Sequence, residues 1–311
     1  MKIAFGVDLG GTTVKLAAFD ALGEMLHKWE IPTVTAGGGQ QILPDIAAAV
    51  KGYLQKNSIS PEDVIGIGIG VPGPVQPDGV VNKCVNLGWG VFNIEKALRE
   101  LTGFTVKAGN DASVAALGES RMGGEDCRNM VFVTLGTGVG GGIVIDGKLL
   151  YGTHGAGGEI GHMVMDPMET EPCSCGKYGC LEQYGSATGI VRVAKKHLKE
   201  GEMPSALRDR EKLTCKDVFD AAKAEDLLAQ KILEEVFAYL GAAIANVCNA
   251  VDPDAVVIGG GVSKAGDLLL EGVQRHFQRH VFHAVGPVQF RLAQLGNDAG
   301  VYGAFWLLSD R

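Results

Sequence analysis

Residues 3–20 read IAFGVDLGGTTVKLAAFD, and this stretch decides the fold. One apolar run ends at Asp8, a turn follows at Gly10 and Gly11, and a second apolar run ends at Asp20. A third alternating run covers residues 24–31. Apolar alternation interrupted by glycine is typical of strands that tight turns connect. The N-terminal region is therefore predicted to form three strands around a glycine turn.

The same pattern returns at residues 130–150, which read MVFVTLGTGVGGGIVIDGKLL. A strand leads into the glycine turn 136–142, and a hairpin follows around Asp146-Gly147, a strong hairpin dipeptide. Helices are predicted after the two units, at 40–55, 92–101, 112–119, 224–250 and 299–308, and Gly103 is the expected end of the second of them. Strands that alternate with helices indicate α/β layers. We interpret the two units as a duplicated domain, with a chance likeness of two hairpins as the alternative.

Composition narrows the class of protein. Glycine accounts for 46 of 311 residues, about twice its average share, but no G-X-Y period accompanies it, which excludes collagen. Hydrophobic residues at 46% and charged residues at 21% exclude wholesale disorder. The net charge is −8 and no basic block is visible, which argues against nucleic-acid partners. Neither an apolar stretch long enough for a membrane span nor a secretory leader is visible. The expectation is a cytoplasmic protein of two domains.

The first glycine turn is predicted to bind phosphate. Glycines let backbone N–H groups face an anion, and threonine hydroxyls add further donors. Asp8, at the end of a strand, could hold magnesium directly or through water. The predicted phosphate set here is Asp8, Gly10, Gly11, Thr12, Thr13 and Lys15.

The second glycine turn extends this prediction. Gly136, Thr137 and Gly138 stand in the equivalent place of the second unit, and Gly260 and Gly261 follow a strand at 255–258. A G-x-G-x-x-G match within 136–141 suggests a dinucleotide site, but that fingerprint must open a helix and this one opens a hairpin. A nicotinamide-dependent oxidoreductase is therefore disfavoured. The more specific hypothesis is a nucleotide that both glycine loops bind. The alternatives are ordinary β-turns at the two glycine loops and a loop without a binding role at 259–263.

A cysteine-rich segment predicts a metal site. Cys173, Cys175 and Cys180 lie within eight residues and follow His162. Three thiolates and one imidazole suit a closed tetrahedral zinc site, and the intervening glycines allow tight turns. Free or redox-active cysteines are the alternative. The other cysteines occur singly and are predicted to be packing residues.

Polar residues at the predicted strand ends supply catalytic candidates. Asp111, which follows Asn110, is either a helix N-cap or the general base of a phosphoryl transfer. Glu159 precedes His162 by three residues, and Glu182 follows Cys180 by two. Such acids can bind sugar hydroxyls, which donate and accept hydrogen bonds. Solvated surface acids are the alternative, above all for Glu182.

Taken together, these motifs resemble the ROK sugar kinases, a family of the actin-like superfamily, over nearly the whole chain. The two glycine loops resemble its two phosphate motifs. The segment GEIGH at 158–162, followed by the cysteines and Glu182, resembles the family signature, and residues 181–189 resemble the bacterial glucokinase branch.

The resemblance implies an α/β fold of two duplicated, ribonuclease-H-like ATPase domains around a central cleft. The expected lobes are 1–111 plus 299–311, which is small, and 112–298, which is large and carries the zinc loop. ATP and magnesium would bind near the glycine loops. Asp111 would be the catalytic base on the 6-hydroxyl of a hexose, most simply glucose. The sugar would contact Gly73, Asn110, Asp111, Glu159, His162 and Glu182, and His162 would also bind zinc.

Several alternatives stay open at this level. N-acetylglucosamine, N-acetylmannosamine, fructose and allose differ from glucose by small groups, so pocket shape decides among them. A sugar-responsive repressor of the family would carry a helix-turn-helix segment, for which a first strand at residue 3 leaves no room. A non-catalytic sugar-binding protein would not need Asp8 and Asp111. A homodimer is expected from the family.

Overall fold

The computed structural model describes residues 1–124 and 127–309, and the backbone alone at Val85. The chain forms two compact units. The first comprises Met1–Arg128, Gly142–Gly158 and Gln294–Arg311, and the second comprises Asn129–Gly141 and Glu159–Ala293. The first unit thus includes segments 112–128 and 142–158, which the sequence analysis assigned to the large lobe. Positions 125–126 and 310–311 of the expected lobes lie outside the described residues, and the lobe division itself stays a prediction.

The first unit is built on a five-stranded sheet with the order β3-β2-β1-β4-β7. β1 pairs antiparallel with β2 and parallel with β4, and β4 continues parallel to β7. A separate hairpin, β5-β6, lies outside this sheet. The strands are β1 Ile3–Leu9, β2 Thr13–Asp20, β3 Met25–Pro32, β4 Val64–Val71, β5 Val80–Cys84, β6 Trp89–Asn93 and β7 Val106–Asn110.

Helices cover both faces of this sheet. One face buries Phe5 and Ile67 against Ile46 and Leu98, which project from two of the helices. The helices of this unit are α1 Ile42–Lys56, α2 Ile94–Thr102, α3 Asp111–Met122 and α9 Ala299–Trp306. Packing on both faces explains why β1 and β4 are nearly continuous buried runs.

The C-terminal helix α9 approaches the rest of the first unit unusually closely. A Cβ built at Gly68 would lie 1.6 Å from the Ala304 carbonyl oxygen, and one at Gly303 would lie 1.7 Å from the Val114 carbonyl oxygen. No side chain fits at such distances, so glycine is required where α9 crosses β4 and α3. Part of the glycine excess therefore serves packing rather than ligand binding.

The second sheet repeats the topology of the first, with the order β10-β9-β8-β11-β12. In both sheets the first strand of the repeat lies between its own hairpin partner and a later parallel strand. Asp146 and Gly147 both have positive φ, as the predicted tight hairpin requires. The strands are β8 Met130–Leu135, β9 Val139–Ile145, β10 Lys148–Leu149, β11 Ala255–Gly259 and β12 Gln289–Leu292.

Helices of the second unit surround the long buried helix α7. Its N-terminus is capped by Asp226, whose side chain accepts a hydrogen bond from the Ala229 N–H, and it ends at Asp252 in the left-handed region. The helices are α4 Glu182–Gly185, α5 Ala187–Glu200, α6 Cys215–Lys223, α7 Leu227–Val251 and α8 Asp267–His280. The α/β fold with a duplicated sheet is confirmed.

One boundary differs from the sequence analysis. The second helix was expected from residue 92, but Phe92 belongs to β6 and α2 begins at Ile94. The Asn93 side chain explains the shift, because its oxygen accepts a hydrogen bond from the Lys96 N–H at 2.8 Å and caps the helix. Gly103 ends α2 with a φ of 82°, as expected. Within residues 1–124 and 127–309, no helix has both the length and the apolar character that crossing a bilayer requires.

Candidate active site

The first glycine turn joins β1 to β2 and leaves open space beside its backbone. The Gly10 N–H donates to the Thr13 carbonyl at 3.0 Å, and the Thr33 hydroxyl donates to the Gly10 carbonyl at 2.7 Å. A Cβ at Gly11 would meet no atom within 4 Å, and Gly11 does not have positive φ. Neither packing nor backbone conformation therefore requires glycine at this position. Open backbone of this kind leaves room for a ligand to approach.

Asp8 lies at the end of β1, beside this turn. Its Oδ2 is 3.4 Å from the Lys15 Nζ, and Lys15 also donates to the Asn297 carbonyl at 3.2 Å. Burial raises the pKa of Asp8 above its usual value, and Lys15 partly offsets this. A divalent cation beside the carboxylate would favour the charged form further.

Gly73, Asn110 and Asp111 lie together where β4 and β7 end. Val71 pairs with Asn110 in the sheet, so the two strands end at the same edge. The Asn110 side chain donates to the Gly73 carbonyl at 3.2 Å and accepts from the Ser113 N–H at 3.1 Å. Asn110 is therefore the N-cap of α3. The cap alternative for Asp111 was wrong, because Asp111 is the first helical residue.

The second glycine turn lies between β8 and β9. The Gly136 N–H donates to the Gly138 carbonyl at 3.0 Å, and a Cβ at Gly136 would meet no atom within 4 Å. This is the same open backbone as at Gly11. Gly260 lies next to this turn, because a Cβ built at Gly260 would be 2.5 Å from the Leu135 carbonyl oxygen. The φ of Gly260 is 82°. Gly261 lines a cavity of about 240 Å³ on the same unit.

The predicted metal ligands converge on one point. The ligand atoms of His162, Cys173, Cys175 and Cys180 all lie within 4.8 Å of one another. The Cys175 and Cys180 sulfurs are 3.7 Å apart, and the Cys173 sulfur is 3.9 Å from the His162 Nδ1. A tetrahedral zinc with bonds of about 2.3 Å to sulfur implies edges of about 3.8 Å. The four side chains therefore fit a zinc ion.

Two glycines shape this cysteine loop, residues 173–180. Gly176 has a φ of 81° and Gly179 a φ of 69°, as the tight turns predicted there require. A Cβ at Gly179 would lie 1.8 Å from the Asp166 carbonyl oxygen. The loop can therefore fold back on the preceding segment only because residue 179 has no side chain.

Glu182 links the cysteine loop to the second glycine turn. One carboxylate oxygen accepts from the Val139 N–H at 3.1 Å, and the other accepts from the Ser174 hydroxyl at 2.8 Å. The surface-acid alternative for Glu182 is therefore wrong. Glu159 precedes the short 3₁₀ turn 160–162. Its backbone carbonyl accepts a hydrogen bond from the His162 N–H at 3.2 Å.

Within each unit, the sequence-predicted residues fall into local groups. The first unit brings the Asp8–Lys15 set together and, separately, Gly73 with the pair at 110–111. The second unit joins the cysteine loop, His162, Glu182 and the turn 136–138, with Gly260 beside that turn.

Sequence reasoning missed Thr188 and Ser174. The Thr188 hydroxyl donates to the Thr137 carbonyl at 2.7 Å, within the second glycine turn. The sequence did contain a signal for this region, namely the serine at position 186. In the structure, Ser186 caps α5 by accepting a hydrogen bond from the Gly189 N–H at 2.9 Å. Recognising Ser186 as an N-cap would have placed a helix start beside the turn.

Comparisons with known proteins identify the family of the chain. The model of the ROK family matches residues 4–311. The chain is 47% identical to a glucokinase of Halalkalibacterium halodurans over 98% of this chain and 94% of that protein.

Two solved structures match nearly the whole chain. A ROK glucokinase from Streptomyces griseus, in complex with glucose and AMPPNP, has a TM-score of 0.76 at 33% identity and covers 98% of both chains. A ROK hexokinase from Thermus thermophilus has a TM-score of 0.79 at 30% identity and covers 98% of this chain and 97% of its own. The chain belongs to the ROK family.

Proposed function

We propose that this chain transfers the γ-phosphoryl group of ATP to the 6-hydroxyl of glucose. The observation that carries the proposal is the 47% identity to a glucokinase over almost the full length of both chains. The site residues support it. Both glycine turns leave open backbone for phosphate, and an acid stands at the head of α3.

Asp111 is the proposed general base. Its carboxylate accepts the proton of the 6-hydroxyl while the sugar oxygen forms a bond to the γ-phosphorus and the bond to the β–γ bridging oxygen breaks, releasing ADP. Asn110 fixes the direction of the strand-to-helix turn through its two hydrogen bonds. Glu159, His162, Glu182 and Gly73 are the proposed further sugar contacts.

The nucleotide is proposed to bind along both glycine turns. The set Asp8, Gly10, Gly11, Thr12, Thr13 and Lys15 would contact the phosphates from the first unit, and Gly136, Thr137 and Gly138 from the second. Gly260 and Gly261 would lie beside the nucleoside. The cavity that Gly261 lines combines apolar side chains, such as Val262 and Phe219, with charged ones, and it would take the flat base, whose edge is polar. Magnesium, when bound near Asp8, would neutralise charge on the phosphates.

Zinc at the cysteine loop is proposed as a structural ion. The ligand set contains four protein donors, which leaves no open position for catalysis. Such an ion would hold His162 in place directly. It would also hold Glu182 in place through Ser174. A homodimer in the cytoplasm stays part of the proposal.

The decisive experiment is a coupled ADP-release assay over a panel of sugars. We expect the highest kcat/KM for glucose, with N-acetylglucosamine, N-acetylmannosamine, fructose and allose below it by at least about tenfold. A higher value for an N-acetylhexosamine would transfer the proposal to that substrate. Sugar binding without ADP release would instead identify a non-catalytic sugar-binding protein.

A further inference from the structure

We propose that Glu182 and Thr188 are positioning residues for the second glycine turn, so that the cysteine loop governs the affinity for the nucleotide as well as for the sugar. The inference rests on the proposed function, because it takes residues 136–138 as the loop that holds the donor phosphates. It adds a second role for Glu182, which is already a proposed sugar contact, and a first role for Thr188.

The turn 136–138 has few internal supports of its own. Its internal hydrogen bond runs from the Gly136 N–H to the Gly138 carbonyl, and the side of Gly136 is open. A loop of this composition has many accessible conformations, since glycine restricts the backbone least. Donors that bind a phosphate well must nevertheless be fixed before the ligand arrives, because ordering them on binding reduces affinity. The fixation must therefore come from neighbouring residues.

Glu182 supplies the first of these supports. Its Oε2 accepts from the Val139 N–H, the residue directly after the turn, at 3.1 Å. A Cβ at Gly138 would lie 2.2 Å from the same oxygen, so residue 138 is glycine to admit this carboxylate. The other oxygen, Oε1, accepts from the Ser174 hydroxyl at 2.8 Å, between two of the metal-binding cysteines. One side chain thus joins the cysteine loop to the end of the turn.

The start of α5 supplies the second support. The Ala187 N–H donates to the Gly136 carbonyl at 2.8 Å, and the Thr188 hydroxyl donates to the Thr137 carbonyl at 2.7 Å. Ser186 is fully buried and donates its proton to the Glu182 carbonyl at 2.7 Å. Carbonyl oxygens only accept, so the two hydroxyl protons of Ser186 and Thr188 are assigned to these two carbonyls.

These bonds make one continuous connection. It runs from Ser174 through the Glu182 side chain to Val139, and from the Glu182 carbonyl through Ser186 to the helix start that holds residues 136 and 137. A change at the cysteine loop therefore alters the orientation of the phosphate-facing N–H groups. The effect of the cysteine loop on sugar binding is separate from this effect on the nucleotide.

The test compares nucleotide and sugar affinity in variants that keep all metal ligands. Calorimetric titration with ADP and, separately, with glucose is applied to the full chain and to Thr188→Val, Thr188→Ser and Ser174→Ala. We expect Thr188→Val and Ser174→Ala each to weaken ADP binding roughly 3- to 10-fold, as the loss of one hydrogen bond implies. Thr188→Ser should restore the affinity, because it keeps the hydroxyl. Thr105→Val, at the opposite end of β7 from the site, is the matched control and should not change it.

The readouts separate positioning from general loss of structure. In Thr188→Val the glucose affinity, the zinc content and the melting temperature should stay at the values of the unaltered chain, and the KM for ATP should rise with kcat nearly constant. An ADP affinity within twofold of the unaltered chain in both Thr188→Val and Ser174→Ala overturns the inference. An equal fall in ADP and glucose affinity in Thr188→Val also overturns it.

Failure of the proposed function is recognised separately. An unaltered chain that binds ADP but does not phosphorylate glucose contradicts the sugar assignment alone, and the ADP titrations still decide the role of Thr188. An unaltered chain without measurable ADP affinity overturns both.

Discussion

Asn110 and Asp111 divide two tasks that a single residue could not perform well. Asn110 caps α3 through the Ser113 N–H, and Asp111 begins the helix with its Oδ1 2.7 Å from the Ala112 nitrogen. A carboxylate at the first turn is stabilised by the helix dipole. The sequence showed that an acid stands where a strand meets a helix, but it could not assign the cap, because both residue types are good caps.

Replacing Asp111 should separate catalysis from folding. In Asp111→Asn we expect kcat for glucose phosphorylation to fall by about 10²- to 10⁴-fold, the usual contribution of a general base. The melting temperature should change little, because Asn110 keeps the cap. Steady-state ADP release and thermal unfolding measure the two effects.

The matched control is Asp267→Asn. Asp267 holds the same first position in α8, so it tests the loss of an acid at a helix start without touching the site. Its kcat should equal that of the unaltered chain. Turnover by Asp111→Asn within about threefold of this control would remove Asp111 from the catalytic role.

At the scale of elements, the cysteine loop is expected to depend on its metal. We expect about one zinc per chain in the purified protein, and we expect Cys173→Ser to lose it, because three ligands bind zinc far more weakly than four. The melting temperature should fall with the metal. Elemental analysis and thermal unfolding are the measurements.

Cys215→Ser serves as the control for the metal prediction. Cys215 begins α6 and is not among the four converging ligands, so this variant should keep its zinc. A purified, unaltered chain without bound metal would contradict the assignment of the loop as a zinc site.

A second element-scale feature ties the segment before the cysteines to α5. Glu169 accepts a hydrogen bond from Tyr184 at 2.8 Å and pairs with Arg192. Burial opposes the charged form, but hydrogen bonds from the Glu171 backbone, Arg192 and Tyr184 outweigh it and lower the pKa of Glu169 from 4.5 to about 2. The carboxylate is therefore better stabilised in the folded chain than in the unfolded chain.

This shift predicts a pH dependence of stability. A carboxyl with a lowered folded-state pKa stabilises the fold above its unfolded pKa, and this contribution is lost as the pH falls toward the folded value. The difference in melting temperature between the unaltered chain and Glu169→Gln should therefore be largest near about pH 6 and shrink from about pH 4.5 downward. Glu200→Gln, an exposed acid at the end of α5, is the control. A difference that stays constant from about pH 6 to pH 3 would contradict the prediction.

The helices that the sequence analysis missed differ in the signals at their starts. The α8 helix begins after Gly266, which has no side chain to form a cap. The α5 helix does carry signals, because Ser186 caps its start and the buried residues Ile190, Val193 and Ala194 recur at helical spacing. By contrast, α1 and α7 were predicted closely, because their buried positions recur at helical spacing. The bounds of α9 were also predicted closely, although nearly all of its residues are buried.

At the scale of the whole molecule, the glycines of α9 are expected to control the stability of the first unit. In Gly303→Ala the new methyl group would overlap the Val114 carbonyl oxygen, so we expect a loss of about 1–3 kcal/mol or more in the free energy of unfolding. Gly52→Ala is the matched control, since a Cβ there meets no atom within 4 Å in the exposed part of α1. This second change should stabilise the chain by about 0.5–1 kcal/mol. Denaturant titration measures both, and equal signs would contradict the packing argument.

The duplicated architecture could be predicted from the sequence because each repeat carries its own glycine turn and hairpin dipeptide. The return of α9 to the first sheet was expected only from the family resemblance, which grouped residues 299–311 with residues 1–111. Its close contacts rest on Gly68 and Gly303, which are far apart in sequence and carry no periodic signal. The division into units therefore differs from the expected lobes at residues 112–128 and 142–158.

The position of α9 also sets an order of events during synthesis. The first sheet leaves the ribosome before the second unit, yet Phe19 packs against Val301 and Phe305, which are translated after that unit. While the second unit is being synthesised, one apolar face of the first sheet stays exposed, and chaperones or other nascent chains can bind it. A message truncated before Ala299 would leave that face uncovered permanently, so the loss of the segment that contains α9 should turn a folded protein into an aggregating one.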